Sequence, residues 1–275
     1  MLRHLARAAL LWIHRHAVRV QLNGDPTRPA VVFSPHFDDE TLGCGGSIIL
    51  KRRAGAEVVV VFMTDGSRSH ANLMPAAELA RLRQAEGREA CNAMGIDASS
   101  VKMLLYPEGS LALHAEDATR RVAEMLKVVR PEEIYLPYRG DVNSDHVATN
   151  SIVLSAADRV GRPFILLEYP VWFWKRWPWM MLPASGRRLR LRMLEQSIRS
   201  GFGLPELLRF RRWVPIAGVL QEKLSALRCY RTQTTRLREG WPILSDVSSG
   251  EWLELFFRPY EIFRQTTASG AAITG

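Results

Sequence analysis

Short apolar runs of strand type alternate with segments of helical periodicity between residues 30 and 169. The clearest run, residues 58–62, consists of four valines and a phenylalanine. A strand without polar positions is typical of a parallel sheet, because both of its faces are covered. Alternating strands and helices place helices on both sides of such a sheet. This pattern predicts an α/β fold with three layers and a mostly parallel sheet.

Five strands and four helices make up the predicted alternation. The strands are 30–34, 57–63, 101–106, 134–137 and 164–169, and the helices are 41–54, 75–94, 115–129 and 146–160. After Pro170 the alternation ends, and we expect a helix over 217–238 and an aromatic segment, 252–263, that packs on the body. The predicted organisation is a basic amphipathic segment, 1–29, followed by a single domain, 30–275.

The net charge of +9 is concentrated in two segments. Residues 1–20 hold four arginines and no acidic residue, and residues 172–214 hold ten basic residues against two acidic ones. Such concentrated positive charge favours an anionic partner: phospholipid, nucleic acid or a phosphorylated substrate. The first segment also has apolar residues at helical spacing, which predicts an amphipathic helix. This helix either packs on the domain or rests on an anionic membrane surface.

Polar side chains follow the first and the fourth predicted strands. The two clusters are residues 35–40 (PHFDDE) and residues 141–146 (DVNSDH). In open α/β sheets, ligands bind outside the carboxyl ends of the strands. We therefore expect the two clusters to meet at one edge of the sheet and to form a site there.

The residue types in these clusters are suited to a catalytic zinc ion, which needs about three protein ligands and an open position for water. His36 and Asp39 are three residues apart and can face one point where the chain enters a helix, and His146 can supply the third ligand. Asp38 is then free to act as a general base on the activated water. The alternative is that Asp38 or Asp39 only caps the helix N-terminus, a common role of Asp after a strand.

The string PHFDDETLGCGG within residues 31–46 resembles the signature of the PIG-L/LmbE-like zinc-dependent N-deacetylases. Further residues stand in the order of that family. They are Thr64-Asp65-Gly66, then Glu78, Arg83 and Glu86 in the next helix, then Asp141, Asp145 and His146, and finally Lys223, Ala226 and Leu227 with Tyr230 and Gln233. Together these pieces cover residues 30–170 and 217–263.

The resemblance implies a Rossmann-like fold. It also implies hydrolysis of the acetamide of an N-acetylglucosamine-type sugar, in a glycoconjugate that could be lipid-linked, with release of the amine and acetate. One Zn²⁺ per chain would be held by His36, Asp39 and His146. Asp38 would be the catalytic base, and Arg83 would contact the saccharide substrate or its anionic appendage.

Asn143 stands where many members of the family have a histidine that stabilises the oxyanion or protonates the amine. An amide can donate a hydrogen bond to an oxyanion, but it cannot give up a proton near neutral pH. We expect Asn143 to act as such a donor while Asp38 returns the proton; the alternative is a weak or altered activity. The resemblance also implies that Asp141 and Asp145 support the ligands, with Asp145 orienting His146 through its other ring nitrogen.

Residues 172–214 form a basic Trp/Arg-rich insertion without a counterpart in the family pattern. Four tryptophans fall between residues 172 and 179, interrupted by lysine and arginine. The insertion is either a lid or dimerisation element with buried aromatic side chains, or a patch at a membrane interface. Tryptophan and arginine favour the headgroup region, and such a patch would place the protein in peripheral contact with an anionic membrane.

Two other classes of function compete with hydrolysis. A non-catalytic nucleic-acid- or membrane-binding protein would explain the basic segments, but the charge avoids the α/β body and no nucleic-acid motif is present, so nucleic acid is not an expected partner. A metal-free nucleotide binder would explain the glycines of residues 41–46, but these lack the G-x-G-x-x-G order.

Three scattered cysteines exclude a disulfide scaffold and predict a cytoplasmic protein.

Overall fold

The structure is a computed structural model that describes residues 2–17, 21–22, 24–182 and 186–268. Its strands are β1 (Gln21–Leu22), β2 (Ala30–Ser34), β3 (Val58–Thr64), β4 (Val101–Tyr106), β5 (Glu133–Pro137), β6 (Phe164–Tyr169), β7 (Arg212–Pro215) and β8 (Tyr260–Ala268). Its helices are α1 (Leu2–Ala17), α2 (Asp39–Arg53), α3 (Ala76–Ala93), α4 (Ala115–Val129), α5 (Ser144–Val160), α6 (Arg187–Arg199), α7 (Leu204–Leu207), α8 (Leu220–Arg228) and α9 (Arg231–Thr234). Of the basic residues predicted to form the N-terminal helix, Arg19 lies outside the described residues.

These strands form one sheet in the order β1-β7-β8-β6-β5-β2-β3-β4. Strand β8 runs antiparallel to both of its neighbours, and the other pairs are parallel. The predicted α/β fold with a mostly parallel sheet is therefore confirmed. Strand β8 was not predicted as a strand, since its sequence signalled only an aromatic segment that packs on the body.

Side chains of the central strands alternate between two apolar cores, one on each face of the sheet. On β2, Val31 and Phe33 join the core beneath α4 and α5, whereas Ala30 and Val32 join the core shared with α2, α3 and α8. This alternation follows from the two-residue period of a strand. Because both cores are covered by helices, the sheet is the middle one of three layers, as the sequence predicts.

The predicted helix over 217–238 is wrong, because the chain breaks into the two shorter helices α8 and α9. The break turns side chains of this segment toward buried carboxylates. Tyr230 donates to Glu40 at 2.5 Å, and the amide and hydroxyl groups of Thr232 donate to Glu86 at 2.9 and 2.6 Å. Leaving such buried acids without partners would be costly, so these tertiary hydrogen bonds override the helical periodicity.

The tryptophans of the insertion contribute to the core rather than to the surface. Trp174 and Trp179 are buried, and Trp172 and Trp177 are half-buried. The interpretation with buried aromatic side chains therefore describes Trp174 and Trp179 fully and Trp172 and Trp177 in part. Helix α6, which follows them, is exposed along most of its length.

Helix α1 packs on the body and also leaves part of its apolar surface in solvent. Leu10 and His14 are buried, and the His14 ring lies 3.0 Å from the backbone oxygen of Phe210. Leu5 and Trp12 are 61% and 63% exposed. The inner face of α1 thus packs on the domain, which was one of the two alternatives. The predicted boundary between an N-terminal segment, 1–29, and the domain, 30–275, stays a prediction.

A buried ion pair joins β8 and α8 to the start of α2. The ammonium group of Lys223 lies 2.7 Å from Glu261 and also donates to the backbone oxygens of Leu42 and Phe256, at 2.9 and 2.8 Å. Both charged residues are buried. The pair therefore fixes the chain only a few residues downstream of the first polar cluster.

The carboxylate of Glu261 also binds the glycine-rich segment of α2. The helix is interrupted at Cys44, whose φ is −147°, so that a new helical turn begins after it. Glu261 accepts hydrogen bonds from the amides of Gly46 and Ser47, each at 2.8 Å, and a carboxylate is favoured at such a helix start. Because an internal carboxylate fills this position, these glycines are not free to cradle the phosphates of a nucleotide.

We predict that Lys223→Met lowers the free energy of unfolding by about 3–5 kcal/mol, because it leaves Glu261 as an unpaired buried charge. The double variant Lys223→Met/Glu261→Gln should lose less, since it removes both charges. Urea denaturation measures both effects. The matched control is Arg53→Met, which breaks the exposed pair with Glu222 (2.7 Å) and should cost less than about 1 kcal/mol. Equal losses for Lys223→Met and Arg53→Met would contradict the prediction.

Candidate active site

His36, Asp39 and His146 lie together at the carboxyl edge of the sheet. His36 follows β2, Asp39 begins α2, and His146 lies in the first turn of α5. Nδ1 of His36, Oδ2 of Asp39 and Nε2 of His146 form a triangle with sides of 3.1, 3.1 and 3.2 Å. The structure therefore brings together the three ligands that the sequence predicts from two distant clusters.

The dimensions and chemistry of this triangle fit a divalent metal ion. Four ligands bound tetrahedrally at about 2.0–2.1 Å lie roughly 3.3 Å from one another, close to the observed separations. Two imidazoles and one carboxylate are a donor set of catalytic zinc sites, in which a water molecule completes the coordination. Among the groups of His, Cys, Asp and Glu that the structure describes, this one has the geometry to hold an ion.

Each imidazole is oriented by a carboxylate on its far side. His36 Nε2 lies 3.2 Å from Asp145, and His146 Nδ1 lies 3.1 Å from Asp141. The prediction that Asp145 orients His146 is therefore wrong: Asp145 supports His36 instead. Consecutive residues of a helix point about 100° apart, so Asp145 cannot lie behind the ring of the next residue. Asp141 is in the loop before α5 and can lie behind the ring of His146.

These carboxylates raise the pKa values of both histidines. Burial lowers the pKa of His36, but the hydrogen bonds to Asp145 and Asp39 outweigh it and raise this pKa to about 10. Burial also lowers the pKa of His146, but the charges of Asp39 and Asp141 raise it to about 9. Protons therefore compete with a metal ion for the imidazole nitrogens of the triangle.

Asp38 faces the same site without joining the triangle. Its φ and ψ angles are +126° and −26°, which for a residue other than glycine costs roughly 1–3 kcal/mol. It stands at the N-cap position of α2, but its side chain makes no capping hydrogen bond. Burial, followed by the charges of Asp39 and Glu40, raises the pKa of Asp38 well above its usual value. Asp38 therefore does not make the hydrogen bond that helix capping requires, and its carboxyl group is available for proton transfer.

A cavity of about 140 Å³ opens beside Asp38 and the triangle. Its wall includes Arg83 and Asn143, the two other residues predicted to contact the substrate. Arg83 is buried and is held by the backbone oxygen of Gly66 at 3.3 Å and by the hydroxyl group of Ser69 at 2.6 Å. Its Nε is buried without a hydrogen-bond partner in the described part of the chain.

Asn143 is fixed by the helix that follows it. Its amide oxygen accepts a hydrogen bond of 2.9 Å from the backbone N–H of Asp145 and so caps α5. Because the oxygen is used in this way, the amide nitrogen is the part of the side chain that remains for donation. This geometry suits the expected role of a donor to an oxyanion.

The predicted set of site residues lacks several residues that line the cavity, among them Glu108, Trp172 and Gln233. Glu108 is the second residue after β4, and its carboxylate lies 3.8 Å from Arg83. The rule that ligands bind at strand ends would have identified it. Trp172 was grouped with the insertion, yet it lines the cavity and donates its backbone N–H to Asp141 at 3.0 Å. Gln233 was noted only as part of the family pattern. It lines the cavity and donates a hydrogen bond to the backbone oxygen of Phe37. No local sequence signal distinguishes the last two from core residues.

Comparisons with known proteins agree with this arrangement. Residues 31–157 match the family model described as "PIG-L: GlcNAc-PI de-N-acetylase". A Bacillus cereus protein named "Probable N-acetyl-alpha-D-glucosaminyl L-malate deacetylase 2" is 25% identical, over 83% of this chain and 95% of its own length. The 1D-myo-inositol 2-acetamido-2-deoxy-α-D-glucopyranoside deacetylase of Kineococcus radiotolerans is 27% identical, over 77% of this chain and 70% of its own.

The fold is also that of a solved deacetylase. The structure of N,N′-diacetylchitobiose deacetylase from Pyrococcus horikoshii superposes with a TM-score of 0.59 at 18% identity. The superposition covers 94% of this chain and 92% of the other. The region that matches the family model runs from β2 to α5 and contains both loops that form the triangle. Residues 31–157 of this chain, which hold the triangle, are thus similar to the PIG-L family.

Proposed function

We propose that this protein is a metal-dependent hydrolase that removes the acetyl group from an N-acetylglucosamine-type sugar within a larger conjugate. The observation that carries the proposal is the triangle of His36, Asp39 and His146 with the free carboxyl group of Asp38 beside it. The family model and both relatives named above are described as deacetylases of acetamido sugars. Their names support the substrate class.

In the proposed reaction, His36, Asp39 and His146 hold one zinc ion per chain. Such an ion lowers the pKa of a water molecule toward about 7 and polarises a carbonyl group. Asp38 accepts a proton from the attacking water and later delivers it to the departing nitrogen, so that the C–N bond breaks to give an amine and acetate. The raised pKa of Asp38 suits a group that must hold a proton between these steps.

Two further residues complete the proposed site. Asn143 donates a hydrogen bond from its amide nitrogen to the carbonyl oxygen as negative charge develops there. Arg83 binds the saccharide or an anionic group attached to it. Because Asp38 carries the proton in both directions, the proposed reaction proceeds without a histidine at position 143.

We predict that Asp38→Asn lowers kcat at least about 100-fold, since a general base contributes roughly 10²–10⁴ to the rate. The variant should still bind zinc, whereas His146→Ala should lose it. Release of free amine from N-acetylglucosaminides and metal analysis of the purified proteins measure the two effects. Asp158→Asn, on the exposed side of α5, is the control and should match the wild type. Wild-type turnover by Asp38→Asn would rule out the assigned role.

Zinc binding to the metal-free protein should release protons, because the pKa values of His36 and His146, about 10 and about 9, leave the site protonated at neutral pH. Because the ligand nitrogens of both rings must be free of protons to bind the ion, we predict release of at least about one proton per ion at pH 7. The apparent affinity for zinc should rise with pH up to about 10. Calorimetric titrations in buffers of different ionisation enthalpy measure the released protons. Heats that are independent of the buffer would contradict the prediction.

We further propose that the protein is cytoplasmic and contacts the inner face of an anionic membrane. No helix among the described residues is both long and apolar enough to cross a bilayer. Helix α6 combines exposed Leu191 and Ile198 (55% and 63%) with Arg188 and Arg192, which form no ion pair with a described residue. Basic and apolar side chains on one exposed helix are suited to the headgroup region.

Helix α1 offers a second exposed surface for the contact. Arg3 of α1 donates to the backbone oxygen of Pro178, and Ser197 of α6 accepts a hydrogen bond of 3.0 Å from the backbone N–H of Trp177. Both helices are therefore attached to the same segment of the insertion. The exposed Trp12 and Leu5 of α1 add apolar area.

The membrane contact predicts that the protein sediments with vesicles that contain phosphatidylglycerol and remains in the supernatant with neutral vesicles. Since each basic residue contributes about 1 kcal/mol near an anionic surface, Arg188→Gln/Arg192→Gln should weaken partitioning about 30-fold. Arg81→Gln/Arg88→Gln, on the exposed side of α3, is the control with the same change of charge. Equal recovery in the supernatant with both vesicle types would refute the contact.

A further inference from the structure

A buried histidine that the proposed reaction does not use lies behind the wall of the active-site cavity. His70 is 7% exposed and follows Ser69, which lines the cavity. Nδ1 of its ring lies 3.0 Å from the guanidinium group of Arg83 and 2.8 Å from the hydroxyl group of Ser69. His70 therefore contacts two residues of the cavity wall, although it does not line the cavity itself.

The other ring nitrogen fixes the tautomer of His70. Nε2 lies 2.9 Å from the backbone oxygen of Pro242, and a carbonyl oxygen can only accept a hydrogen bond. Nε2 therefore carries the proton, and Nδ1 presents a lone pair. Burial, together with the positive charge of Arg83, lowers the pKa of His70 below its usual value, so the ring is neutral at pH 7.

The lone pair of Nδ1 completes the binding of one guanidinium nitrogen. Nη2 of Arg83 has two N–H groups, and it lies 2.6 Å from the hydroxyl oxygen of Ser69 and 3.0 Å from Nδ1 of His70. Nη1 donates to the backbone oxygen of Gly66 at 3.3 Å and lies 3.8 Å from Glu108, which also lines the cavity. Because a guanidinium group is planar and rigid, fixing Nη2 also fixes the direction of Nη1.

His70 is itself held by the C-terminal part of the chain. Its ring stacks on Trp241, with centroids 4.5 Å apart and ring planes 24° apart. Trp241 is fully buried and donates from its indole nitrogen to the backbone oxygen of Thr232 at 2.8 Å. Gln233 and Leu244 of the same segment line the cavity. This segment thus forms one wall of the cavity and, through His70, fixes the arginine in another wall.

We propose that His70 is a positioning residue, which holds the guanidinium group of Arg83 in the orientation that binds the saccharide. The proposal rests on the proposed function, which assigns substrate binding to Arg83. A long side chain loses rotamer freedom when it binds a ligand, and a guanidinium group that is already fixed loses less. Without His70 we therefore expect weaker binding of the saccharide rather than slower chemistry.

His70→Phe tests this role, because phenylalanine keeps a ring beside Trp241 and removes both ring nitrogens. Loss of an interaction that acts equally on substrate and transition state raises KM and leaves kcat unchanged, so we expect KM for N-acetylglucosaminides to rise at least about fivefold and kcat to change less than about twofold. His70→Gln, which keeps one donor and one acceptor, should bring KM back to within about twofold of the wild type. An unchanged KM in His70→Phe would overturn the proposal.

His14→Phe is the matched control. His14 is also buried, lies beside Trp213 and has a ring nitrogen 3.0 Å from a backbone oxygen, that of Phe210, but it belongs to α1. Both substitutions remove the same kind of hydrogen bond, so both should lower the free energy of unfolding. Only His70→Phe should raise KM, and equal changes of KM in the two variants would overturn the proposal.

A double-mutant cycle determines whether His70 acts through Arg83. Arg83→Met removes the guanidinium group, so in that background His70→Phe should change KM less than about twofold further. Independent effects that multiply would mean that His70 influences the substrate by another route, and this result would overturn the proposal.

Nitrogen NMR of the histidine rings separates this inference from the proposed function. The His70 signals, identified as those lost in His70→Gln, should show a protonated Nε2 and an unprotonated Nδ1 at pH 7, and Arg83→Met should shift the Nδ1 signal. A protonated Nδ1, or a signal that does not respond to Arg83→Met, would overturn the proposal. If no glycoside yields free amine while the signals behave as expected, the proposed function fails and the positioning of Arg83 remains. If amine is released but KM does not respond to His70→Phe, the positioning role fails and the proposed function remains.

Discussion

Three electron-pair donors held within 3.2 Å of one another are the arrangement on which the rest of the site depends. Such a triangle is unfavourable unless a cation, either a proton or a metal ion, lies among the donors. Asp145 and Asp141 hold the two imidazoles in place from behind, and the Lys223–Glu261 pair fixes the chain that carries Asp39. The geometry of the site is therefore set by buried charges that lie in four separate elements of the fold.

The sequence predicts the part of the site that follows from strand ends. His36, Asp38 and Asp39 come directly after a recognisable strand, and His146 follows another, so their convergence is a consequence of the parallel sheet. The support of His36 by Asp145 could not be predicted, because it depends on which way α5 faces. Strand β8 could not be predicted either, because no local sequence pattern marks that segment as the strand that extends the sheet.

The fold alone does not determine the chemistry, because one α/β scaffold can host several reactions. The function is narrowed by the combination of a metal-ligand triangle with the buried Asp38, which has a positive φ and whose carboxyl group has no hydrogen bond to the part of the chain that the structure describes. Asn143 leaves this combination intact and combines helix capping with the proposed donation. The insertion lies beside the cavity, and its first residue, Trp172, forms part of the cavity wall.

The most direct test is the anomalous scattering of a crystal of the full chain soaked with zinc, measured on both sides of the zinc absorption edge. The account predicts one strong peak per chain, about 2.0–2.2 Å from His36 Nδ1, Asp39 Oδ2 and His146 Nε2. Asp38 should lie beside the ion without binding it. A peak elsewhere, or none between these three atoms, would contradict the central claim.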